Sequence, residues 1–103
     1  MATGVLGQSN PTAATNTTVY TVPSSVAATF NVSVVNTGTT TGTINISISA
    51  SGTPAASEYI EYGTVIPPGG VLERGGMVAQ TGKNVVVNAS VGSMAVSVYG
   101  FEQ

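Results

Sequence analysis

The chain has 103 residues, of which 42% are hydrophobic and only 6% charged, with a formal net charge of −2. Its length bounds it to one domain. It contains no His, Cys or Asp, which excludes Ser-His-Asp and Cys-His nucleophiles, thiolate metal sites and disulfides. Two basic residues, Arg74 and Lys83, provide neither the footprint of a nucleic-acid binder nor a polybasic membrane anchor.

Residues 1–16, MATGVLGQSNPTAATN, are small and polar with little periodicity. They read as an extended N-terminal arm outside the folded domain, which is expected over 17–103. The arm's anchors for a neighbouring subunit are Val5, Leu6 and Pro11. It has no basic segment or apolar core of a signal peptide, so the expectation is a chain made in a cytoplasm and not exported by a classical route. No run in the sequence approaches the ~18 apolar residues a membrane helix needs.

Thr17–Val22 is β-branched and aromatic and closes at Pro23, the pattern of a strand. In Ala28–Asn36, Phe30, Val32 and Val34 alternate with polar residues, and in Thr43–Ser51, Ile44, Ile46 and Ile48 do the same. Both read as strands with one face in the core. Glu58–Val65 and Val71–Gln80 flank Pro67-Pro68-Gly69-Gly70, a sharp turn signal, and are expected to pair as a central hairpin. Gly75-Gly76 predicts a bulge in its second arm. Val85–Ser90 buries Val85, Val87 and Ala89, and Met94–Phe101 buries Met94, Val96 and Val98. No stretch carries the i, i+3, i+4, i+7 pattern of a helix. The fold class is therefore all-β: a single antiparallel β-sandwich, jelly-roll-like, with about seven short strands.

Catalytic chemistry has little to work with. Glu58 and Glu61 are the nearest carboxylate pair, but parity places them on opposite faces of a strand. There is no Trp platform and no evident cleft for a sugar, so glycoside hydrolysis is not supported and no cofactor or metal is expected. Asn16, Asn31, Asn45 and Asn88 each open an Asn-x-Ser/Thr triplet, which arises readily by chance in so Asn-, Ser- and Thr-rich a chain. Tyr59 and Tyr62 fall on opposite faces by the same parity, one in the core and one at an interface. Glu73-Arg74 reads as a surface pair or an interface pair. The candidate interface is Val5, Leu6, Pro11, Tyr62, Glu73 and Arg74. The positive mean hydropathy and the scarcity of charge favour a subunit of an assembly over a free monomer.

Leu6-Gly7-Gln8, Pro11 and Thr17-Thr18-Val19-Tyr20-Thr21-Val22-Pro23 resemble the opening of a group of small β-rich virion structural proteins of tailed bacteriophages. The resemblance runs on through Val35-Asn36, Tyr59-Ile60-Glu61-Tyr62 and Val65-Ile66-Pro67 to Val98-Tyr99-Gly100-Phe101-Glu102. It implies a non-enzymatic role, foremost as a capsid decoration (cement) protein. Such a protein would self-associate, as a homotrimer, and bind the major capsid protein without nucleic acid or membrane. Its place would be the virion, assembled in the cytoplasm of a bacterial host. A tail or fibre component and a host-surface or carbohydrate-binding module are the alternatives.

Overall fold

The computed structural model describes residues 2–103. Eight strands follow one another: β1 (Thr3–Ser9), β2 (Thr17–Thr21), β3 (Ala28–Asn36), β4 (Gly42–Ser49), β5 (Tyr59–Ile66), β6 (Val71–Ala79), β7 (Asn84–Ala89) and β8 (Met94–Glu102). The only helical piece among the described residues is a 3-10 turn at Ala56–Glu58. Two four-stranded antiparallel sheets form, ordered β1-β8-β3-β6 and β2-β7-β4-β5. Only β4 and β5 are both consecutive in the chain and paired in a sheet. Every other connection passes from one sheet to the other.

The two sheets share one core in a sandwich-like arrangement. Phe30, Val32 and Val34 from β3 and Met94, Val96 and Val98 from β8 join Ile44 and Ile46 from β4 and Val85, Val87 and Ala89 from β7. All are essentially inaccessible to solvent. Alternation made this face legible, because in a strand the side-chain period is two. Ile48 packs at the rim, only partly buried. Tyr20 and Phe30 meet edge-on across the sheets, with ring centroids 6.3 Å apart.

Two expectations need correction. First, residues 3–9 do not form an arm outside the domain. They are β1, paired antiparallel with β8 from Thr3↔Phe101 to Ser9↔Val96. Leu6 packs against the core and Pro11 is buried. The Asn10 side-chain amide donates to the carbonyls of Gly92 and Met94 at 3.1 and 2.6 Å, and Ala14 N–H donates to Ala89 at 2.7 Å. An edge strand needs mainly backbone hydrogen bonds, so weak side-chain periodicity did not disclose it. Met1, the first residue of the expected arm, lies outside the described residues.

Second, β5 and β6 do not form a hairpin. They belong to different sheets, β5 beside β4 and β6 beside β3. The turn itself is as tight as expected: Gly70 N–H donates to Pro67 O at 2.8 Å and Gly69 has φ +74, the geometry of a type II turn with Pro68 leading. Its outer groups are taken up by β3 rather than by a hairpin ladder. Gly69 N–H donates to Asn36 O and Asn36 N–H to Gly70 O. The turn is thus a crossover between sheets. The bulge expected at Gly75-Gly76 is present: Met77 faces Phe30 and Arg74 faces Val32, leaving one extra residue on β6, and Gly76 N–H donates to Asn31 Oδ1.

Candidate interaction surfaces

The outer face of the β1-β8-β3-β6 sheet carries the largest group of exposed apolar side chains. The pairings Val78↔Thr29, Thr29↔Phe101 and Phe101↔Thr3 form one row across all four strands. In the neighbouring row, Asn31 faces Tyr99 and Tyr99 faces Val5. Val78, Phe101 and Val5 are 65, 42 and 62% exposed. The Tyr99 hydroxyl donates to Glu73 Oε2 at 3.2 Å. Its partial desolvation, followed by that carboxylate, raises the phenol pKa. Val71, at the far end of this face beside Val35, is also exposed.

The outer face of the β2-β7-β4-β5 sheet is different. Ser47, Ser49 and Val86 are fully buried there, although Ser47 and Ser49 lie opposite in parity to the core-facing Ile46 and Ile48. The 50–58 connection folds back at this end of the sheet, tied by one carboxylate. Glu58 accepts from Ser49 Oγ at 2.9 Å, Ala50 N–H at 3.1 Å and Ala55 N–H at 2.8 Å. The two backbone donors, then Ser49, hold the Glu58 pKa below its ordinary value. The only sequence signal for this clasp is a Glu placed after a Gly/Pro-rich break.

At the edges of the sandwich, charge is spent on joining the sheets. Arg74 on β6 pairs with Glu61 on β5 at 3.1 Å. It does not pair with Glu73, as expected, because neighbours in a strand point to opposite faces. Thr64 Oγ1 also donates to Glu61 at 2.6 Å. On the other side, Tyr20 on β2 donates its hydroxyl to the Glu102 carboxylate on β8, which also accepts from Ala2 N–H at 3.0 Å. The Tyr20 bond, then the Ala2 bond, lowers the Glu102 pKa. Burial, with Glu102 as the smaller cause, pushes the Tyr20 phenol well above its ordinary value of 10.0.

The six residues of the expected interface are therefore not brought together. Leu6 and Pro11 serve the chain's own interior, Glu61 takes Arg74, and Val5 and Tyr62 are exposed on outer faces of different sheets. Tyr59 and Tyr62 do not divide between core and surface. Their rings meet at 5.0 Å with planes 76° apart, and Tyr62 is 74% exposed. Two register shifts in β5 explain this: Thr64 faces Ile44, Glu61 faces Ile46 and Tyr59 faces Ser47, so each interval holds an extra β5 residue. Together with Ala56 these rings line a shallow depression of about 350 Å³. Among the described residues no group of three or more His, Cys, Asp or Glu side chains could hold a metal ion, and no helix is long and apolar enough to cross a membrane.

No protein-family model, curated protein or solved structure matches this chain.

Proposed function

We propose that this chain is a non-enzymatic structural subunit of a bacteriophage virion, acting as a decoration protein that self-associates on the capsid surface. The observation that carries the reading is the outer face of the β1-β8-β3-β6 sheet, where Val78, Phe101 and Val5 stand exposed in two neighbouring rows. Apolar side chains grouped on one sheet face mark a place for a partner. The sequence resemblance to small phage virion proteins points the same way.

The topology adds support at the level of fold. The orders β1-β8-β3-β6 and β2-β7-β4-β5, with a chain that alternates between two sheets, support a jelly-roll reading. Viral capsid domains use this architecture, as do lectins and cupins, so fold alone does not choose among them. The chain exposes 4940 Å². Assembly into a trimer seated on major capsid protein would cover roughly a third of that, within the range of permanent interfaces. Weak contacts of each copy are reinforced by linkage to its neighbours.

The deciding measurement is copy number. Particles banded in high salt are stripped and this protein is quantified against the major capsid protein. A decoration protein covers a lattice and is retained in hundreds of copies, whereas a ring in the tail holds on the order of tens, as its symmetry dictates. Retention near capsid stoichiometry supports the proposal. Tens of copies would transfer it to the tail or a fibre, and absence from particles would overturn it.

A further inference from the structure

The Tyr59–Tyr62 pair is unexplained by stability or by the assembly face. Tyr62 leaves 74% of its surface in solvent, so it contributes little to the core. Neither phenol hydroxyl has a hydrogen-bond partner among the described residues. Bringing the two rings together takes two bulges within β5, each interrupting the ladder with β4. Bulges of this kind re-aim side chains next to binding sites. The second is held in place by Gly63, whose φ of +67 suits glycine and whose N–H donates to Asn45 Oδ1 at 2.7 Å.

That bond begins a row of amides. Asn45 on β4 lies directly opposite Asn88 on β7, and Asn88 Nδ2 donates to Asn16 Oδ1 at 3.0 Å. Three amide groups so run across the sheet from the aromatic edge toward β2. With Asn45 Oδ1 and Asn88 Nδ2 occupied, Asn45 Nδ2, Asn88 Oδ1 and Asn16 Nδ2 have no partner among the described residues. The row offers donors and an acceptor together. The nearby carboxylates are already committed: Glu61 to Arg74, and Glu58 to the 50–58 connection.

We infer that the Tyr59–Tyr62 depression and the Asn45–Asn88–Asn16 row form a binding site for a neutral glycan. A pyranose ring has an apolar face of C–H groups that stacks on an aromatic ring, and a rim of hydroxyls that both donate and accept. Aromatic face and amide row match these two halves, and the depression of about 350 Å³ admits one or two sugar rings. No charged side chain lines the depression, which disfavours acidic sugars. The site lies on the opposite sheet from the Val78–Phe101–Val5 face, so it does not rest on the assembly reading and remains open when that face is covered.

The test is a titration of the whole isotope-labelled chain, followed by amide chemical shifts. The probes are the methyl β-glycosides of glucose, galactose and N-acetylglucosamine, and a β-linked trimer of each. At least one trimer is expected to shift Tyr59, Tyr62, Gly63, Asn45 and Asn88 with saturation, more tightly than its monomer. Tyr62→Ala should weaken that binding about tenfold or more, the scale of a lost stacking contact. Tyr62→Phe, which keeps the ring, should retain most of it, and Phe101→Ala on the other sheet should leave it unchanged. Asn16→Ala should weaken the trimer and spare the monomer. The inference is overturned if no sugar shifts these signals or if Tyr62→Ala leaves the binding intact. It is equally overturned if a proline-rich peptide shifts the same signals while the sugars do not, which would assign the pair to a protein partner.

Discussion

Asn36 is the residue on which one end of the molecule depends. It is fully buried, yet every polar group of its side chain is used. Nδ2 donates to Thr40 O at 2.8 Å and Ile66 O at 3.1 Å; Oδ1 accepts from Gly38 N–H at 3.0 Å and Ser93 Oγ at 2.9 Å. Its backbone holds the Gly69-Gly70 turn. One amide thereby ties the loop after β3, the end of β5, the crossover and the turn before β8. Asn36→Ala removes four bonds and leaves buried partners unpaired, so it should destabilise the chain by about 3 kcal/mol or more in urea denaturation. A loss below about 1 kcal/mol would mean that the network is not formed. Ile46 tests the core separately: it is 0% exposed, and Ile46→Ala should cost ~2–5 kcal/mol. The sequence announced Ile46 through alternation, whereas Asn36 looked like the polar end of a strand, because a hydrogen-bond hub has no periodicity to betray it. Tyr59 and Tyr62 were misplaced for a related reason. Parity counts residues, and the two bulges that break the count left only Gly63 as a sign.

At the scale of elements, strands were legible and their partners were not. Ala28–Asn36 was bounded correctly because its apolar and polar residues alternate from end to end and loops close both sides. The pairing of β5 with β6 failed because Pro-Pro-Gly-Gly makes the same tight turn whether the flanking strands pair or part. β1 was hidden by a sequence, TGVLGQS, with two glycines and no alternating core face. Its observed role changes what truncation should do. A chain lacking residues 1–9 loses the β8 pairing, the Leu6 contact and the Ala2–Glu102 bond, so its urea midpoint should fall markedly. An unchanged midpoint would restore the arm. The 50–58 connection makes a second prediction, about acid. The folded pKa of Glu58 lies below the ordinary 4.5, so its contribution to stability is complete above the unfolded-state value and is lost as pH falls through the folded one. Glu102 shifts in the same direction. Stability should therefore decline below about pH 4.5, where unfolded carboxylates begin to take up protons. Glu58→Gln should lower the neutral-pH midpoint and flatten this decline, as read from midpoints measured between neutral and acid pH. A decline as steep in Glu58→Gln as in the natural chain would remove Glu58 from its cause.

For the whole molecule, the deciding balance is between charge and exposed apolar surface. A net charge of −2 gives neighbouring copies little reason to repel one another, and Val78, Phe101 and Val5 are the exposed apolar face that the proposed self-association would use. Self-association through that face should be driven by apolar contact, with main-chain and hydroxyl hydrogen bonds at its rim. Screening acts on charges over about 10 Å at 0.1 M salt and less as salt rises, so it has little here to weaken. Sedimentation should thus find a closed oligomer, with a trimer expected, and its dissociation constant should change little between low and high salt. Val78→Glu combined with Phe101→Glu should yield monomers, since two carboxylates per copy would be buried without partners. Both side chains point outward and lie in one pairing row on the solvent face of the sheet, so the variant's β-rich circular dichroism should persist. A steep salt dependence would show that the few charges, including Arg74 and Glu73, carry the contact. Unchanged association of the double variant would move the interface to another surface, with Tyr62 and Val65 on β5 the next exposed apolar side chains to substitute.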